Sequence, residues 1–153
     1  MSEVGELYKR ILLPLDGSAL AERALPHAIA QAQRFEAELI LLKVIEPLPR
    51  RGGLAHGAFE RAEKELKSWA REYLEGVATS LQEYGIPVQV ATVIDDPHKA
   101  IVWFAESNQV DLIVMCTRGH SGLSRWLIGS VADRVVRGAN IPVLLVRAQK
   151  AST

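Results

Sequence analysis

The chain has 153 residues, with 18 Lys plus Arg against 18 Asp plus Glu, so its formal net charge is zero. That balance argues against nucleic acid or an anionic membrane surface as a partner. The length suits a single domain, residues 1–153 with a core of about 8–147, which can bury about 68–70% of its unfolded surface without staples.

One cysteine leaves no internal disulfide and fits a reducing compartment. The N-terminus lacks a basic-then-apolar signal layout, and no apolar run is long enough to span a membrane. The expected location is the cytoplasm.

In chain order, residues 1–7 read as a loose polar lead-in. Arg10–Pro14 is a short apolar strand, followed by the turn-rich Leu15–Ser18. Ala19–Phe35 has helical apolar spacing, with Pro26 inside it expected to bend the ladder. Glu38–Val44 is a near-continuous apolar run, which suits a strand covered on both faces. Glu46–Gly57 holds two prolines and three glycines and reads as a loop. Apolar steps of three and four from Ala58 to Tyr84 predict one long amphipathic helix, weakened at Gly76 and stopped at Gly85.

Pro87–Val93 alternates and is β-branched, so it predicts a third strand. Asp96 is an expected N-cap, with Pro97 in the first helical position of a helix reaching about Asn108. Leu112–Met115 is a fourth strand. It empties into a loop, 116–129, bearing Arg118, Gly119, His120, Ser121, Gly122, Ser124 and Arg125. A helix follows from Ser130 to about Gly138, with Ser130 as its expected cap and Asp133 in the acidic place of a capping box. Ile141–Val146 is the fifth strand, Pro142 near its start.

Strictly alternating strands and helices predict a parallel sheet with helices on both faces, and a ligand crevice at the strands' carboxyl ends. A strand that empties through a glycine-bearing loop into a helix start is phosphate-binding geometry. Glycines let the backbone approach an oxyanion, and the first helical turn offers unpaired N–H groups.

Other chemistries fit less well. There is no Gly-x-x-x-x-Gly-Lys-Ser/Thr loop and no Gly-x-Gly-x-x-Gly fingerprint. Leu123 breaks the nucleophile-elbow pattern around Ser121. His27, His56, His98 and His120 lack the spacing of a zinc site.

The same loop resembles that of the universal stress protein family, whose ATP-binding members carry Gly-x-x-Gly, nine residues, then Gly-Ser/Thr. Here nine residues separate Gly119 from Gly129 and Ser130 follows; Cys116 stands in the place of the first glycine. The segments Leu13–Ser18 and Gly129–Val135 are also similar to the family's, and the resemblance runs from about Tyr8 to Arg147.

The resemblance implies an adenine nucleotide alpha hydrolase-like fold with strand order 3-2-1-4-5, and a homodimer joined through the edge strand Val143–Val146. It implies a stress-response module that binds ATP with Mg²⁺. Pro14 and Asp16 would stand at the end of the first strand, Asp16 beside the ribose or adenine. Val44 would line the adenine pocket. Gly119, Gly129 and Ser130 would cradle the phosphates, and Cys116 and Val131 would also belong to the nucleotide site. Arg118, His120 and Arg125 add nearby cations.

Plainer readings stand beside these. Asp16 caps the first helix, Val44 is core, Arg118 and Arg125 are solvated, and Cys116 is a small buried hydrophobe. With no lysine in the loop and no carboxylate beside it, at most slow ATP hydrolysis is expected. A nucleotide-free dimer acting by protein contact is the remaining alternative, and Cys116 is its main support.

Overall fold

The computed structural model describes residues 2–50, 55–117 and 128–147. Five strands, β1 (Arg10–Pro14), β2 (Glu38–Ile45), β3 (Val88–Ile94), β4 (Leu112–Thr117) and β5 (Val143–Arg147), form one parallel sheet. Its order is β3-β2-β1-β4-β5, the order the resemblance implies. The helices are α1 (Ser2–Gly5), α2 (Leu25–Phe35), α3 (His56–Ser80), α4 (Pro97–Ser107) and α5 (Ser130–Gly138).

The apolar runs form strands because both faces of the sheet are covered. Ile11, Leu13, Leu39, Leu41, Leu112 and Val114 face one way, against Ala28, Ile29 and Ala32 of α2 and Leu74 and Val77 of α3. Leu12, Ile40, Leu42, Ile113 and Met115 face the other, against Ile101, Phe104 and Ala105 of α4 and Ala132 and Val135 of α5. The period-two alternation of β residues thus divides one apolar run between two cores.

Several boundaries differ from the sequence reading. Residues 2–5 make a helical turn rather than a loose lead-in. Pro26 does not bend a helix interior. A 3₁₀ turn, Ala21–Ala24, comes first, and α2 starts at Leu25, so Pro26 falls in its first turn, where a missing N–H is harmless. The long helix ends at Ser80, and a 3₁₀ turn, Gln82–Tyr84, leads to Gly85 in left-handed conformation at φ 66°. Asp96 holds the N-cap position of α4, but its carboxylate pairs with His98 rather than with a first-turn N–H.

β4 runs two residues beyond Met115, because Cys116 and Thr117 pair with Val146 and Arg147. Pro142 lies just before β5, where its carbonyl accepts from the Ile113 N–H at 3.0 Å. Among the described residues, no helix is long and apolar enough to cross a membrane.

Candidate functional site

The chain runs from β1 to β2 to β3 on one side, then crosses back to place β4 against β1. The helices that follow β1 and β4 therefore lie on opposite faces, and their loops part at the carboxyl ends of the two strands. An open sheet of this type has its crevice there.

One wall is the turn after β1. The Leu15 N–H bonds to the Leu42 carbonyl at 2.8 Å, carrying the ladder one residue past the strand. Asp16 Oδ1 accepts from Ser18 N–H at 2.9 Å and from Ser18 Oγ, and Gly17 between them has φ 90°. Ser18 Oγ in turn accepts from Ala21 N–H at 3.1 Å. The hydroxyl of Ser18 therefore meets the start of the 3₁₀ turn, and Asp16 orients that hydroxyl. Lys43 Nζ reaches across from β2 and donates to the Asp16 carbonyl at 2.9 Å.

The opposite wall is the end of β4 and the start of α5. Cys116 is a strand residue, and among the described residues the non-glycine positions with positive φ are Glu36 and Gln109. Its side chain packs with the α2/α3 core rather than the α4/α5 core. Burial pushes its thiol pKa up; the Arg23 guanidinium pulls it down by less, and the Asp16 carboxylate pushes it up further.

Gly129, not Ser130, is the N-cap of α5: its carbonyl accepts from Asp133 N–H at 2.9 Å, and no side chain caps the helix. Asp133 does not close a capping box either. Its carboxylate pairs with Arg137 Nε at 3.1 Å, one turn along the helix.

A cavity of about 450 Å³ lies between these walls. Pro14, Asp16, Val44, Cys116, Gly129, Ser130 and Val131 all line it. Arg118, Gly119 and His120 lie outside the described residues, as do Ser121, Ser124 and Arg125. The cavity also brings in Ser18, Lys43, Glu46, Pro97, Ile101, Met115 and Thr117, which the sequence reading did not single out. Lys43 had a visible signal: it is the one charge inside the apolar run from Leu39 to Ile45, and a covered strand holds a lysine only where its ammonium finds partners.

Two helices start at this cavity, α4 through Pro97 and α5 through Ser130. Both present the positive end of the helix dipole, and α5 adds unpaired first-turn N–H groups. Among the described residues, no three His, Cys, Asp or Glu are placed to share a metal ion. A second hollow, about 480 Å³, lies between the end of α3 and the edge of β3 and holds none of the predicted site residues.

The family model described as the universal stress protein family matches residues 7–147. Universal stress protein MJ0531 of Methanocaldococcus jannaschii is 40% identical over 144 residues, covering 94% of this chain and 85% of the relative. The solved structure of MJ0577, from the same organism, superposes with a TM-score of 0.79 at 34% identity, covering 95% of this chain and 99% of that one. A universal stress protein solved in complex with cAMP superposes with a TM-score of 0.67 at 24% identity, covering 93% of this chain and 98% of that one. Matched by the family model from residue 7 to 147 and 40% identical to a relative over nearly its whole length, the chain belongs to the universal stress protein family.

Proposed function

We propose that the chain binds an adenine nucleotide, ATP with Mg²⁺, in the cavity between β1 and β4, and that it serves as a homodimeric regulatory module of the stress response in the cytoplasm. The observation that carries this reading is convergence. Asp16, Val44, Gly129 and Ser130, far apart in the chain, line one cavity at the start of two helices.

The volume falls within the roughly 300–1,000 Å³ of small-molecule sites. Val44, Ile101, Met115 and Val131 offer an apolar wall for a base. The α5 start offers N–H groups for phosphates, and the Ser130 hydroxyl is not consumed by a cap. Cys116 directs its side chain into the α2/α3 core, whereas Val44, Met115 and Val131 belong to the α4/α5 side, so the thiol leaves that side of the cavity open. Mg²⁺ would ride on the phosphates and keep most of its waters. The fold itself accommodates an adenine nucleotide in the relative solved with cAMP.

For the homodimer, β5 is an edge strand whose Val143, Leu144 and Leu145 are only half covered. A second copy paired along it would cover them and satisfy its backbone groups.

Thermal unfolding with and without MgATP tests the nucleotide reading. A ligand at 100 times its Kd adds about 2.7 kcal/mol, and Gly129→Val, which places bulk at the α5 start, should abolish the shift. No shift for the unaltered chain at millimolar MgATP would overturn nucleotide binding and leave a nucleotide-free dimeric module.

A further inference from the structure

We infer that Lys43 is a positioning residue of this cavity: its ammonium sets the turn that aims Asp16, and so governs affinity for the nucleoside part of the ligand rather than for its phosphates. The inference rests on the nucleotide-binding reading and deepens it.

Lys43 follows Leu39 and Leu41 on the α2/α3 face of β2, and both of those are fully buried. Lys43 itself is half-buried, its stem lying along this apolar row and carrying the ammonium out to polar partners at the end of the sheet. It finds two. Nζ donates to the Asp16 carbonyl at 2.9 Å and lies 5.8 Å from the centre of the Tyr73 ring. The first is a charge-assisted hydrogen bond and the second a cation–π contact.

The bond to Asp16 fixes the peptide plane between Asp16 and Gly17. Gly17 then turns at φ 90°, and Ser18 N–H returns to Asp16 Oδ1 at 2.9 Å. Main chain and carboxylate of Asp16 are thereby set together. One residue earlier, Leu15 is held by the Leu42 carbonyl at 2.8 Å, so adjacent residues of β2 grip both sides of the exit from β1.

A phosphate role for Lys43 fits less well. Ala132 and Val135 place α5 against Leu42 and Met115 on one face of the sheet, whereas Lys43 turns to Tyr73 on the other.

Calorimetric titration with adenosine, AMP and MgATP tests this on the unaltered chain, Lys43→Met and Lys43→Arg. Lys43→Met should weaken all three by a common factor of about ten, the size of one hydrogen bond to a charged group, and Lys43→Arg should recover most of it. A loss that grows from adenosine to ATP would make the ammonium a direct phosphate ligand and overturn the inference, as would unchanged affinities.

Amide exchange gives a readout without ligand: Ser18 N–H should exchange faster in Lys43→Met, and an unchanged rate also overturns the inference. If the unaltered chain binds none of the three, the nucleotide reading fails, and Ser18 exchange still decides whether Lys43 sets the turn. Should Lys43→Met not fold, Tyr73→Leu removes the ring beneath the ammonium. It should give a smaller loss, equal across the three ligands, and a loss selective for ATP again overturns the inference.

Discussion

Arg10 and Asp111 are joined head to head at the base of the sheet: Arg10 N–H donates to Asp111 Oδ2 at 2.9 Å, and Asp111 N–H donates to the Arg10 carbonyl at 2.8 Å. Lys9 N–H adds a second bond to the same carboxylate oxygen at 2.8 Å. Together they start β4 beside β1, and the candidate site opens at the far end of that strand pair. Asp111→Ala would leave two amides without their charged acceptor. A loss of about 2 kcal/mol is expected in urea unfolding, with Asp111→Asn keeping part of it. A loss below about 0.5 kcal/mol would show that the carboxylate does not hold the strand pair.

Gly17 has φ 90°, yet there is room for a methyl group, since an added Cβ would meet Lys43 Nζ at 3.8 Å. The cost of Gly17→Ala is therefore conformational. A destabilisation of about 1–2 kcal/mol is expected, read from the denaturation midpoint. A neutral substitution would mean the turn relaxes.

Tyr73 has a fully covered hydroxyl with no hydrogen bond of ordinary geometry. Burial first, then the nearby Glu22 and Asp16 carboxylates, push its pKa from 10.0 up to about 12. The folded chain therefore holds this proton more tightly than the unfolded one. Its contribution to stability is whole below pH 10 and is lost as pH rises through about 12. Tyr73→Phe should unfold with a weaker dependence on pH across that window. At neutral pH it should stay within about 1 kcal/mol of the parent, since the hydroxyl has the Glu22 carboxylate beside it but no hydrogen bond of ordinary geometry. Urea midpoints from pH 7 upward, with phenolate absorbance alongside, read both effects.

Cys116 has its pKa raised chiefly by burial, so its thiol should alkylate more slowly at pH 8 than a free cysteine does, with a rate still climbing above that pH. A fast reaction at neutral pH would contradict this. Cys116→Gly should cost about 1 kcal/mol, because glycine weakens a strand interior. Its MgATP affinity should stay unchanged, since the thiol points into the α2/α3 core and away from the α4/α5 side of the cavity. Tighter binding in calorimetry would show that the side chain at position 116 does limit the site.

The order of strands and helices could be read from the chain alone. Runs such as Ile11–Leu13 and Leu39–Leu42 are apolar on both faces, and only a strand within a covered parallel sheet uses such a run fully. The family resemblance came from the spacing of Gly119, Gly129 and Ser130 and from the segment after β1, and the strand order was what that resemblance implied. Local pattern could not end β4 at Thr117, since that end depends on Val146 and Arg147 in another strand. Nor could it place Pro26 or Ser130, because caps are decided by which N–H groups find acceptors. The α2/α3-side placement of Cys116 and the grip of Lys43 on a carbonyl 27 residues earlier belong to tertiary structure alone. Burial is encoded residue by residue, but hydrogen-bond partners far apart in sequence exist only once the sheet has brought them together.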